Sequence, residues 1–111
     1  MIKDLSVSVI ADFYGDLLTP KQRQAIDLYY NRDCSLSEIA ETMGVSRQGA
    51  RDFIKKGEQS LNEFEQKLGL AKRFLKVSGI VSELEKISDK ITQGSIKAEI
   101  SDKLEQIKAE L

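Results

Sequence analysis

Apolar positions recur at helical spacing along nearly the whole chain, and the most informative pattern lies in residues 35–56. Leu36, Ile39, Ala40 and Met43 are separated by steps of three and one or three, which gives a short helix one apolar face. Ser35 with Glu38 three residues later fits a capping box, in which hydroxyl and carboxylate satisfy free amides at a helix start. Gly44 follows the last periodic residue, where a left-handed backbone costs least without a Cβ. Val45 then reads as a buried plug and Ser46 as a second N-cap. Ala50, Phe53 and Ile54 turn the next helix's apolar side back onto the first, and small Ala40 lets the two approach. This is the pattern of a helix-turn-helix, whose second helix can lie in a DNA major groove.

Upstream, Ile10, Phe13, Tyr14, Leu17 and Leu18 predict a first helix over residues 5–18, with Ser6 and Ser8 outward and Gly15 lowering the propensity. Thr19, Pro20 and Gln22 mark the next helix start as N-cap, first helical residue and capping-box partner. That helix runs to about Tyr30 and is expected to bury Ala25, Ile26 and Tyr29, with Tyr30 at the margin. The helix after the turn does not stop early. Ala50, Ile54, Gly57, Leu61, Phe64 and Leu68 form a heptad-like seam, and Gly69 reads as its C-cap. Ala71, Leu75, Ile80, Leu84, Ile87 and Ile91 form a further stripe, weakened at Gly79. Residues 93–95 read as a turn, and Ile96, Ile100, Leu104, Ile107 and Leu111 as a last amphipathic helix. The expected architecture is all-α: a helix-turn-helix domain over residues 1–70 with a long fourth helix, then a helical extension over 71–111. The last two stripes are narrow and flanked by alternating Glu and Lys. They either fold back as an intramolecular hairpin or pair with a second chain as a homodimer, and the pattern leaves both open.

Composition narrows the function classes. The chain has 111 residues, 41% apolar and 32% charged, with one proline, which suits a small folded helical domain rather than a disordered chain. No apolar run reaches membrane-spanning length and no signal peptide is evident, so a cytoplasmic protein without membrane contact is expected. Cys34 is the single cysteine and there is no histidine, which excludes a disulfide framework and a thiolate–histidine metal site. Cys34 therefore lacks an imidazole base and reads as a half-buried loop residue. Glu38 is better explained as a cap and Glu41 as exposed than as a carboxylate pair. Gly44, Gly49 and Gly57 are too scattered for a phosphate-binding loop. With no catalytic constellation, neither enzyme activity nor a cofactor is expected.

The net charge of −1 argues against a strongly basic nucleic-acid binder. The charge is unevenly distributed, however. Residues 35–76 carry eight basic and six acidic groups, against four and five in residues 1–34 and five and seven in residues 77–111. The positive excess thus coincides with the helix-turn-helix.

LLTPKQRQAIDLYY followed by SLSEIAETMGVSRQGARDFIKKGEQSL resembles region four of bacterial sigma factors, which reads a promoter element through a helix-turn-helix. From ADFYGDLLTPKQ onward the arrangement resembles more closely the small YlxM-type proteins of Gram-positive bacteria, over roughly residues 10–70, with SEIAETMGVSRQ its most specific part. The resemblance implies an all-α fold, DNA binding, and a regulatory or accessory link to the signal recognition particle pathway. The other sigma regions are not found, so a complete sigma factor is not expected.

On the second helix of the motif, Arg47, Arg51 and Lys55 are four residues apart and share a face, with Lys56 beside them. Ser46, Arg47 and Gln48 occupy the end that enters the groove. Arginine pairs bidentately with guanine and glutamine with adenine, which makes Arg47 and Gln48 the candidate base readers. Arg51, Lys55 and Lys56 are the candidate phosphate contacts, and Ser46 can donate to a phosphate while capping the helix. Gly49 offers no side chain and would let a backbone approach. Asp52 interrupts the positive field. Tyr14, Tyr29 and Tyr30 fall on apolar stripes and read as packing residues rather than base-stacking ones. The expected partner is duplex DNA. RNA, components of the signal recognition particle, or a protein partner of a helix-turn-helix scaffold are the alternatives.

Overall fold

The computed structural model describes residues 6–111, and every regular element among them is helical. The chain divides into two compact units, residues 1–71 and 72–111. The first unit comprises α1 (Val7–Tyr14), a 3-10 turn (Gly15–Leu17), α2 (Pro20–Ile26), a π turn (Asp27–Asn31), α3 (Leu36–Met43) and α4 (Arg47–Leu68). It ends in the first residues of α5 (Leu70–Ser88), which continues into the second unit.

Ser6 starts α1, its hydroxyl accepting from the Val9 amide at 3.3 Å. Leu5, where the sequence pattern begins the helix, lies outside the described residues. The helix stops at Tyr14 rather than Leu18, because the chain tightens at Gly15 and then swings out at Leu18 (φ −78°, ψ 157°). That swing brings Thr19 to the extended conformation a residue before proline must adopt. Thr19 and Gln22 then form the capping box, with bonds of 3.2 Å and 3.4 Å.

The second helix runs unbroken to Asn31, about where its pattern ends, but it changes type on the way. After Ile26 the amide of Arg32 bonds to the Asp27 carbonyl at 3.2 Å, five residues back. Such a turn holds one more residue than an α turn, so side chains beyond it shift in phase. Ala25 and Ile26 are buried as expected, but Tyr29 is 41% exposed and only Tyr30 remains half-buried. Asp27 pins the turn, accepting from Asn31 Nδ2 at 2.9 Å and Arg32 Nε at 3.1 Å. The Asn31 and Arg32 bonds hold its carboxyl below the usual range. The Ser8 hydroxyl donates to Asn31 Oδ1 at 3.1 Å and ties the turn to α1.

The axis of this unit is α4, which packs against α1, α2 and α3. Ala50, Ile54 and Leu61 form its buried seam, with Ile39 and Ala40 of α3 and Ile10 and Tyr14 of α1. Gly57 is the point of closest approach, since a Cβ there would stand 2.8 Å from Ile26 Cγ1. Leu68, the last residue of the expected seam, is exposed. Gly69 ends α4 with φ +63°. The break into α5 is held by Tyr14, whose hydroxyl donates to Glu65 Oε1 at 2.7 Å and accepts from the Leu70 amide at 3.0 Å. Glu65 Oε1 also accepts from the Ala71 amide at 3.0 Å. Two first-turn amides of α5, which no helical carbonyl can satisfy, thereby gain partners. Burial, and then the bond to Glu65, push the Tyr14 phenol up.

The second unit holds the rest of α5 and α6 (Gly94–Ala109). Lys108 Nζ lies 3.0 Å from Glu85 Oε1, and Lys97 Nζ 3.7 Å from Asp89 Oδ1, so one ion pair links α6 to α5 and another ties it to the turn. The turn begins at Asp89 rather than at residue 93, and Gly94 already belongs to α6. The α5 stripe is covered only in part: Ala71 is buried and Leu75 and Ile91 half-buried, Ile80, Leu84 and Ile87 are exposed, and Val81 and Ser88, outside the stripe, are buried. On α6, Leu104 is buried and Ile96 and Ile107 are exposed, as is Leu111 beyond its end.

Candidate nucleic-acid interface

Two helices and a three-residue turn set the interface. Ser35 accepts from the Glu38 amide at 3.1 Å and Glu38 Oε1 from the Ser35 amide at 3.0 Å, which completes the capping box of α3. The bonds from Ser35 hold the Glu38 carboxyl below its usual range. Gly44 takes the left-handed conformation (φ +66°, ψ 35°), and the Val45 amide bonds back to the Ala40 carbonyl at 3.0 Å. Val45 is half-buried rather than a fully buried plug. Ser46 caps α4, its hydroxyl accepting from the Gly49 amide at 2.9 Å. The chain therefore turns from α3 into α4 with every cap supplied by residues legible in the sequence.

Beyond that cap, Arg47, Gln48, Arg51, Lys55 and Lys56 are all exposed, as is Ser46 itself. Among the described residues, none of the four cations is engaged in an ion pair. Uncommitted guanidinium and ammonium groups on the solvent side of a groove-sized helix are what phosphate and base contacts require. Gln48 differs. Its Nε2 donates to Asp52 Oδ1 at 3.0 Å, so one amide donor is held by the carboxylate that breaks the positive field. Gly49 does not open toward a ligand: a Cβ there would meet Ser46 Oγ at 3.1 Å and Val45, so this glycine makes room for the turn.

Two residues that the sequence pattern did not single out, Lys21 and Glu58, and one that it read as packing, Tyr29, lie at the margins of this face. Lys21 of α2 has its Nζ 5.9 Å from the centre of the Phe53 ring. On the other side, Tyr29 and Glu58 join Arg51 and Lys55 around an open groove. The periodicity of residues 20–30 hid Tyr29, because nothing in it marks the π turn. Tyr30 packs edge-to-face with Tyr29, ring centres 5.0 Å apart. Its burial, and then the Glu58 carboxylate beside it, push the Tyr30 phenol up to about 12.

Residues 1–107 match the profile of a family described as "Putative helix-turn-helix protein, YlxM / p13 like". A UPF0122 protein of Thermoanaerobacter sp. (strain X514) is 40% identical over 107 residues, covering 96% of this chain and 92% of the relative. One from Halalkalibacterium halodurans is 48% identical over 88 residues, 79% of this chain and 81% of its own. One from Listeria welshimeri is 41% identical over 102 residues, 92% and 91%. The likeness thus spans both units.

Proposed function

The chain belongs to the YlxM/p13-like helix-turn-helix family, and on that premise we propose that it is a regulatory protein that binds duplex DNA through α4. The observation that carries this is the exposed row of Arg47, Arg51, Lys55 and Lys56 on the helix that follows the turn, with no ion pair among the described residues. Arg47, in the first turn, reads a base edge, and Gln48 joins it after releasing Asp52. Arg51, Lys55 and Lys56 hold phosphates, and Ser46 adds a hydroxyl at the helix start. The resemblance to the YlxM type carries a link to the signal recognition particle pathway, and the proposed regulation lies there. No described helix is long and apolar enough to cross a membrane. The exposed apolar row of α5 and α6 supports a homodimer through the second unit, which doubles the sequence read by two copies of α4.

The test is a titration of duplex DNA and of the particle's RNA at two salt concentrations. Three to four phosphate contacts give a log–log slope of about −3 for the duplex. Tighter binding of the RNA at both salts would replace duplex DNA with a ribonucleoprotein target. An affinity that ignores salt would remove the phosphate contacts.

A further inference from the structure

Arg51 and Lys55 line, besides the α4 surface, an open groove of about 420 Å³ shared with Tyr29, Tyr30, Leu36, Ile54 and Glu58. We propose that this groove holds one unpaired guanine nucleotide of a nucleic acid strand. Its base stacks on Tyr29, its Watson–Crick edge donates to Glu58, and its flanking phosphate pairs with Arg51 and Lys55. The proposal rests on the nucleic-acid reading above and adds the state of the nucleotide recognised.

Tyr29 is the first support. In an edge-to-face pair at least one face of each ring is left by the other, and Tyr29 is 41% exposed at the groove. The π turn puts it there, since a continuous α-helix would turn position 29 toward the core. An exposed aromatic ring beside cations is the arrangement on which unstacked bases stack, and every base has a face to offer it.

The order of charges supplies the chemistry. Arg51, Lys55 and Glu58 are spaced four and three apart on α4, so they share one side, and the carboxylate follows the two cations along the helix. Glu58 already accepts from the Tyr30 phenol, but its remaining lone pairs repel phosphate, so a groove built for backbone alone gains nothing from them. It gains from a base edge that donates. Guanine presents two adjacent N–H donors on its Watson–Crick edge, which one carboxylate accepts together, whereas cytosine and adenine present one amino group. In a duplex those donors are consumed by pairing, so only an unpaired guanine can offer them. An already unpaired base also avoids the cost of unstacking.

The experiment compares fluorescence anisotropy titrations of four labelled hairpins at one salt concentration: fully paired DNA, the same DNA with one bulged guanine, its RNA counterpart, and DNA with one bulged cytosine. The full chain should bind a guanine bulge about tenfold or more tighter than the paired hairpin. Tyr29→Ala should weaken bulge binding by roughly five- to 150-fold, the range of one base–aromatic stack, and leave the paired hairpin within about twofold. Tyr29→Phe keeps the ring and should keep the preference, which separates stacking from any loss of fold. Glu58→Gln should abolish the preference for guanine over cytosine. A bulge preference in DNA assigns looped or melted DNA as the source, and one confined to RNA assigns structured RNA; both support the site. Equal affinity for bulged and paired hairpins overturns this inference and leaves the duplex reading standing. Binding to none of the four overturns both.

Discussion

At the level of single residues, the cationic face of α4 separates into groups with different tasks. Arg51 and Lys55 sit past the first turn, beyond easy reach of base edges, so Arg51→Ala and Lys55→Ala should each weaken binding to all duplexes alike and lower the salt slope by about one. Arg47→Ala should also relax preference at one base pair by about 1–3 kcal/mol. Selection from a randomised duplex pool measures both effects, and an unchanged preference in Arg47→Ala would take base reading away from that residue. Tyr30 yields a prediction of another kind. Its phenol is held protonated up to about pH 12 in the folded protein, against an ordinary value of 10.0. The folded state therefore keeps a proton that the unfolded chain gives up. The resulting stabilisation is intact below pH 10 and falls as pH climbs from 10 toward about 12. Urea midpoints across that window should drop more steeply for the wild type than for Tyr30→Phe; parallel curves would mean that Tyr30 is not the group responsible. The six candidate site residues were legible because caps and helical spacing are local. The exposure of Tyr29 and its place beside Glu58 were not, because they depend on a π turn and on a groove lined by residues far apart in sequence.

At the level of elements, the caps were the most readable features. Thr19 with Gln22, Ser35 with Glu38, Ser46, Gly44 and Gly69 all start or stop helices where their chemistry places them. The interior of α5 was the least readable. Ile80, Leu84 and Ile87 are the more hydrophobic line, yet Val81 and Ser88 face inward. Periodicity identifies a stripe but not the partner that covers it. The 3-10 turn after α1 and the π turn after α2 were equally unreadable, since neither is marked in the helical spacing of apolar residues. Gly57 was read only as part of a seam, and its contact with Ile26 gives it a sharper meaning. Gly57→Ala gains about 1 kcal/mol of helix propensity but overpacks the α2–α4 contact at a cost of about 1–3 kcal/mol. A net loss of about 1 kcal/mol, and a melting temperature lower by roughly 4 °C, should follow. An unchanged or raised melting temperature would show that Ile26 yields freely.

At the level of the whole molecule, the proposed functions divide between the two units: nucleic-acid contact in the first and self-association in the second. Six large apolar side chains of the second unit are exposed, namely Ile80, Leu84, Ile87, Ile96, Ile107 and Leu111. A second copy would bury them in a four-helix arrangement. The five basic and seven acidic groups of residues 77–111 nearly balance, so like-charge repulsion opposes this pairing little. Light scattering should then give twice the chain mass for the wild type and the single-chain mass for Leu84→Lys, whereas a wild-type monomer at every concentration would end the dimer proposal. The most direct test of the central claim, that α4 is the nucleic-acid-binding element, is a map of amide chemical-shift changes when duplex DNA is added to the full chain. The largest changes should fall on residues 46–56. Changes confined to α5 and α6, with residues 46–56 unmoved, would contradict it.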